Sequence, residues 1–131
     1  MFVDASAVVA ILTEEADSAR LATKLDYADR AEISAIAIFE SVAAVTRIWK
    51  IEPSDALRIV QEFITEAEIQ VIEIPERIGL AAVAAFARFG KGRHAASLNL
   101  GDCFAYACAK ELNTTLLFKG DDFGKTDVDM A

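Results

Sequence analysis

The sequence predicts an α/β fold in which a parallel sheet is covered by helices on both faces. Short apolar strands alternate with amphipathic helices along the whole chain, the pattern of strand–helix–strand units joined by right-handed crossovers. Hydrophobic residues make up 54% of the 131 and charged residues 26%, which is ample for a packed core and far from a disordered composition. No repeat, low-complexity stretch or Pro/Gly-rich linker interrupts the chain. Residues 1–131 are therefore read as one domain, large enough to fold without disulfides or a structural metal.

The first strand is Phe2–Asp4, apolar until the acid, and the small residues after it turn helical through Ala5–Leu12. A second helix follows over Glu15–Leu25 and a strand over Glu32–Ser34. The long helix Ala35–Lys50 carries Ile38, Val42, Val45 and Trp49 as one stripe, with Ile36, Phe39 and Ala43 over much of the other side. That helix is expected to be largely buried, with Phe39 and Trp49 in the core. Pro53 and Pro75 both stand where a helix begins, a position suited to a fixed φ and a missing N–H. The helices they open are Pro53–Glu66 and Glu76–Phe89, separated by a strand at Gln70–Ile74. A Gly- and base-containing loop, Gly90–Asn99, leads to a helix at Asp102–Leu112 and a strand at Thr115–Lys119. Val128 is read as the start of a short last strand. In such folds ligands bind outside the carboxyl ends of the strands; Asp4 ends a strand at that rim, and Asp121 closely follows another.

No uncharged run approaches the ~20 apolar residues needed to cross a bilayer. The chain opens with an acid where a secretory signal would have a basic region, so a cytoplasmic protein is expected. Cys103 and Cys108 are five apart in an apolar run, which matches no zinc spacing, and they read as reduced core residues. The net charge of −8 opposes binding to a polyanion unless several carboxylates converge on a cation, because the local field then outweighs the total.

Some acids occur where the local pattern calls for none. In ISAIAIFESVAAVT, Glu40 is the only charge between Ile33 and Thr46; in AASLNLGDCFAYACA, Asp102 is the only charge between Ala95 and Ala109. Each has an ordinary structural role open to it. Asp4 and Asp102 can cap helices, Glu40 can look to Arg47 two turns on, and Asp121 and Asp122 can be turn residues beside Gly120 and Gly124. Together, however, four uncompensated carboxylates in or beside apolar elements would cost several kcal/mol each. A shared divalent cation removes that penalty. Oxygen-only ligands favour magnesium or manganese over zinc, and such an ion suits the hydrolysis of a phosphoester.

The ordered set Asp4, Glu40, Asp102 and Asp121–Asp122 resembles that of the PIN-domain ribonucleases, specifically the VapC toxins of bacterial toxin–antitoxin systems. VDASAVVAIL looks like their opening strand-to-helix segment, with Asp4 as first acid and Ser6 as its supporting hydroxyl. SAIAIFESVAAV is similar to the helix of the second acid, Glu40. GRHAASLNLGDCFAYACAKELNTTLLFKGDDFGKTD carries the third acid and the late acidic turn, and the likeness runs from Phe2 to about Asp127. It departs from close relatives at Ala95, where they often have proline. The resemblance implies a three-layer α/β/α sandwich and a Mg2+-dependent endoribonuclease, with Mn2+ as a substitute. It also implies a homodimer and a cognate VapB-type antitoxin. Asp4 and Asp102 would be direct metal ligands, Glu40 a ligand directly or through water, and Asp122, favoured over Asp121, the fourth acid. An activated water would attack phosphorus in line and leave a 3′-hydroxyl.

His94 sits with Arg88, Lys91 and Arg93 and reads as a solvated loop cation; the cluster is a place where an RNA phosphate could rest. GKG lacks the rest of a P-loop. Asn99 either orients Asp102 or satisfies loop backbone. Pro53–Glu66 and Glu76–Phe89 are the candidate dimer or antitoxin surfaces. Two other functions compete. A small Mg2+-dependent phosphatase using Asp4 as nucleophile would want a second Asp where this chain has Ser6, and a catalytically silent module would use the acids only to bind a partner's arginine.

Overall fold

A computed structural model describes all 131 residues. Four strands, β1 (Phe2–Val3), β2 (Glu32–Ser34), β3 (Gln70–Ile72) and β4 (Leu116–Leu117), form one parallel sheet in the order β3-β2-β1-β4. Helices α1 (Ala5–Leu12), α2 (Ser18–Asp26), α3 (Ala35–Trp49), α4 (Pro53–Glu66), α5 (Glu76–Phe89) and α6 (Leu100–Glu111) connect and cover it. The two-residue period of the strands sorts the core into two layers. Phe2 lies opposite Leu116 and faces α5 and α6, whereas Val3 lies opposite Leu117 and faces α1 to α4. This is the α/β/α sandwich, and no helix is long and apolar enough to cross a membrane.

Local chemistry sets the helix ends. Asp4 caps α1, Ser34 Oγ accepts from Ala37 N–H at 3.2 Å to cap α3, and Pro53 sits in the first turn of α4. Several expectations need correction: among them, the strand expected at Thr115–Lys119 spans only Leu116–Leu117, and the helix expected from Asp102 begins at Leu100, with Asn99 as its cap. The second helix starts at Ser18 rather than Glu15, because Glu14 adopts φ 52°, a left-handed conformation that breaks the run. The third strand stops at Ile72, before the Glu73–Pro75 turn. The Val128 strand is reduced to a lone bridge between Leu116 and Met130. Finally, α3 is not largely buried. Only Ala37, Ser41 and Val45 are, while Phe39 is 73% and Trp49 40% exposed. The stripe of Ala37, Ser41 and Val45 packs against α1, α4 and α6; Phe39 projects from the opposite side, and Trp49 continues the buried stripe past its end, at the last turn.

The strand order places β1 between β2 and β4, so the chain's course reverses direction across the sheet at β1. The carboxyl ends of β1 and β4 therefore open a crevice, the position where this class of sheet holds its ligands.

Candidate metal and hydrolytic site

A cleft of about 320 Å³ lies at that crevice, and Asp4, Ser6, Glu15, Glu40, Arg47, Asn99, Asp102 and Lys119 are among its lining residues. Asp4 leaves β1 and caps α1. Its Oδ2 accepts from Ser6 N–H at 3.0 Å and from Ser6 Oγ at 2.5 Å. Ser6 Oγ in turn accepts from the backbone N–H of Lys119 at 3.0 Å. One hydroxyl thus ties the acid at the end of β1 to the segment leaving β4. Asp4 is buried, and burial raises its carboxyl pKa against the opposing hydrogen bonds from Ser6 and Ala5.

Asp102 and Asn99 form a capping box on α6. Asn99 Oδ1 accepts from Asp102 N–H at 2.9 Å, and Asp102 Oδ2 accepts from Asn99 N–H at 3.0 Å. The two roles weighed for Asn99 are thus one arrangement: it caps the helix and orients the acid together. Burial first, then the charges of Asp4 and Asp122, push Asp102 up to about 6 against the Asn99 hydrogen bond. Glu40 arrives from the second turn of α3. Burial, then Asp4 and Asp102, push it up to about 7. No ion pair forms with any of the three: Arg47 lines the cleft without reaching Glu40, and Lys119 is paired with Glu15.

Asp121 and Asp122 do not line the cleft. Both are exposed on the turn after Gly120, whose φ of 102° bends the chain into the 3-10 turn Phe123–Lys125. Asp122 lies close enough for its charge to raise Asp102. The basic loop also stays out of the cleft. Arg88 pairs with Asp127 at 3.2 Å and lies over the Phe89 ring, Arg93 lies over Phe86, and His94 Nδ1 accepts from Ala96 N–H at 3.0 Å. Lys91 lines a separate apolar groove between α5 and α6. Sequence reasoning passed over Glu15 and Lys119 and saw Arg47 only as a partner for Glu40. The signal for Arg47 was its helical register with Glu40; Lys119 could be found only from its place at the carboxyl end of β4.

The donor set fits a hard divalent cation. It is all oxygen, it is partly desolvated, and the charges of Asp4 and Asp102 raise Glu40 while that of Asp4 raises Asp102, a repulsion that such a charge cancels. No three of the acids converge into a finished coordination shell.

The PIN domain family matches residues 1–129. Among curated proteins, a VapC ribonuclease of Rhizobium meliloti is 43% identical over 97% of this chain and 98% of its own length. Ribonuclease VapC28 of Mycobacterium tuberculosis is 42% identical over 100% and 97%. Among solved structures, Mycobacterium tuberculosis VapC20, described as a sarcin–ricin loop cleaving toxin, superposes with a TM-score of 0.78 at 12% identity, covering 99% of this chain and 97% of that one. A toxin–antitoxin complex from Klebsiella pneumoniae gives 0.70 at 14%, covering 99% and 95%. These two likenesses concern the fold.

Proposed function

The chain belongs to the PIN-domain family and, within it, to the VapC ribonucleases, and from that membership and the chemistry of the cleft we infer that it is the toxin of a type II toxin–antitoxin pair, a metal-dependent endoribonuclease. The observation that carries this reading is the meeting of Asp4, Glu40 and Asp102 in one cleft with none of them paired to a cation of the chain. We assign the metal as Mg2+, with Mn2+ able to substitute. Asp4 and Asp102 would hold it directly, Glu40 through water, and Asp122 rather than Asp121 would complete the acid set. A bound divalent ion supplies a Lewis acid and an activated water. The chain's own residues do the placing: Ser6 fixes Asp4, Asn99 fixes Asp102, and the Arg47 guanidinium, free of any ion pair, faces the cleft where a phosphate oxygen would lie.

Residues 1–131 act as one cytoplasmic PIN domain in this reading, silenced by a VapB-type antitoxin. Leu80, Val83 and Phe86 on the outer face of α5 are exposed together, which favours α5 over α4 as a homodimer or antitoxin surface. In the basic loop, Lys91 and Arg93 form no ion pair within the chain, and we assign them as the RNA contacts outside the cleft. The phosphatase alternative is disfavoured because Ser6, where a second Asp would stand, is already engaged with Asp4. The purified protein, freed of antitoxin, is expected to cut structured RNA with magnesium and to stop on chelation. Cleavage that persists in excess chelator sinks the metal assignment; hydrolysis of small phosphomonoesters without RNA cleavage favours the phosphatase.

A further inference from the structure

Gly101 is the second residue of α6 and is buried. Its φ is not positive, so the backbone does not demand glycine, and glycine is among the poorest helix formers. The reason for it lies across the cleft. A Cβ at position 101 would stand 2.1 Å from both Oε1 and Oε2 of Glu40 and 2.3 Å from its Cδ. The carboxylate therefore occupies the space in which any other residue would carry its side chain. No protein hydrogen bond acts on that carboxylate; its seat against the first turn of α6 is defined by shape.

We propose that Gly101 is a positioning residue: by lacking a side chain it lets the acid of α3 come to rest beside Asp102, and so sets the spacing of the two carboxylates. The inference rests on the reading above for the role of Glu40. The atoms an added methyl would strike are the far end of a flexible side chain and not backbone, so alanine at 101 moves Glu40 without prising α3 from α6.

In Gly101→Ala the thermal midpoint is expected at or above that of the wild type, because alanine favours the helix. Manganese affinity, measured by electron paramagnetic resonance without RNA, should fall roughly 10-fold or more, with kcat for RNA falling by a similar factor and KM little changed. In the Glu40→Ala background the same substitution should do nothing further. Glu40→Asp, one methylene shorter, should recover part of the manganese affinity lost in Gly101→Ala. Wild-type manganese affinity and kcat in Gly101→Ala, or an equal loss in the Glu40→Ala background, would overturn the proposal. Because the manganese arm uses no RNA, coupling of Gly101 to Glu40 seen there upholds the positioning role even in a protein that cleaves nothing. Its absence in a protein that does cleave refutes that role while the nuclease reading stands.

Discussion

Asp4, just past the end of β1, and Glu32, on the neighbouring β2, are both buried carboxylates, 4% and 5% exposed, yet their surroundings are opposite. Glu32, opposite Phe2 at the amino end of β1, pairs with Arg30 at 2.6 Å. Asp4, at the carboxyl end of β1, meets only hydrogen-bond donors and two further acids. A buried acid with its own cation is part of the scaffold. One that lacks a cation, in a cleft with others like it, holds a place for a ligand.

Asp4→Asn tests this contrast most severely. It retains an acceptor for Ser6 but removes the charge, so RNA cleavage should fall by roughly 100-fold or more, while the metal-free unfolding midpoint stays level or rises. A drop in that midpoint would mean Asp4 is structural like Glu32. Arg30→Ala probes the other member. It strands a buried carboxylate, and urea unfolding should show a loss of roughly 1–3 kcal/mol with the cleavage rate unchanged. A loss of cleavage there would erase the distinction.

A smaller effect appears with pH. Asp4, Asp102 and Glu40 have folded-state pKa values above their ordinary ones, to about 6 for Asp102 and about 7 for Glu40. Between the usual carboxylate range and about pH 7 the folded chain thus binds more protons than the unfolded one. The contribution of these acids to metal-free stability should accordingly be full below about pH 4 and be lost progressively as pH rises to about 7, by roughly 1–2 kcal/mol once solvent screening of these partly open groups is allowed for. Saturating magnesium should flatten or invert that slope, since ligation needs the ionised forms. A metal-free midpoint that climbs over the same range would show that the acids are not crowded.

Much of this was legible in the sequence because it is local. Strand–helix alternation, prolines at helix starts and isolated acids in apolar runs each depend on a few adjacent residues, and Asp4, Glu40 and Asp102 do share a cleft. Element ends were misread where the backbone turns, as at Glu14, and the larger misreadings came from tertiary placement. Phe39 lies on the outer side of α3 and Trp49 at its last turn, beyond the packed stripe, which apolar content alone does not disclose. Nor does the strand pattern disclose that Glu32 is buried against the Arg30 guanidinium. The match between Gly101 and Glu40 spans two helices far apart in sequence, and no local pattern encodes it.

The position of β1 between β2 and β4 also orders events in time. Asp4 is made early, but its neighbours across the cleft, Asp102 on α6 and Lys119 after β4, are among the last third of the chain to be synthesised. Until that third emerges, β1 has an open edge toward β4 and Asp4 has no Asp102 opposite it. Contacts of such long sequence separation form late in folding. A nascent chain that has not yet emerged past β4 thus carries Asp4 without the cleft around it, and that cleft arises only with the finished fold.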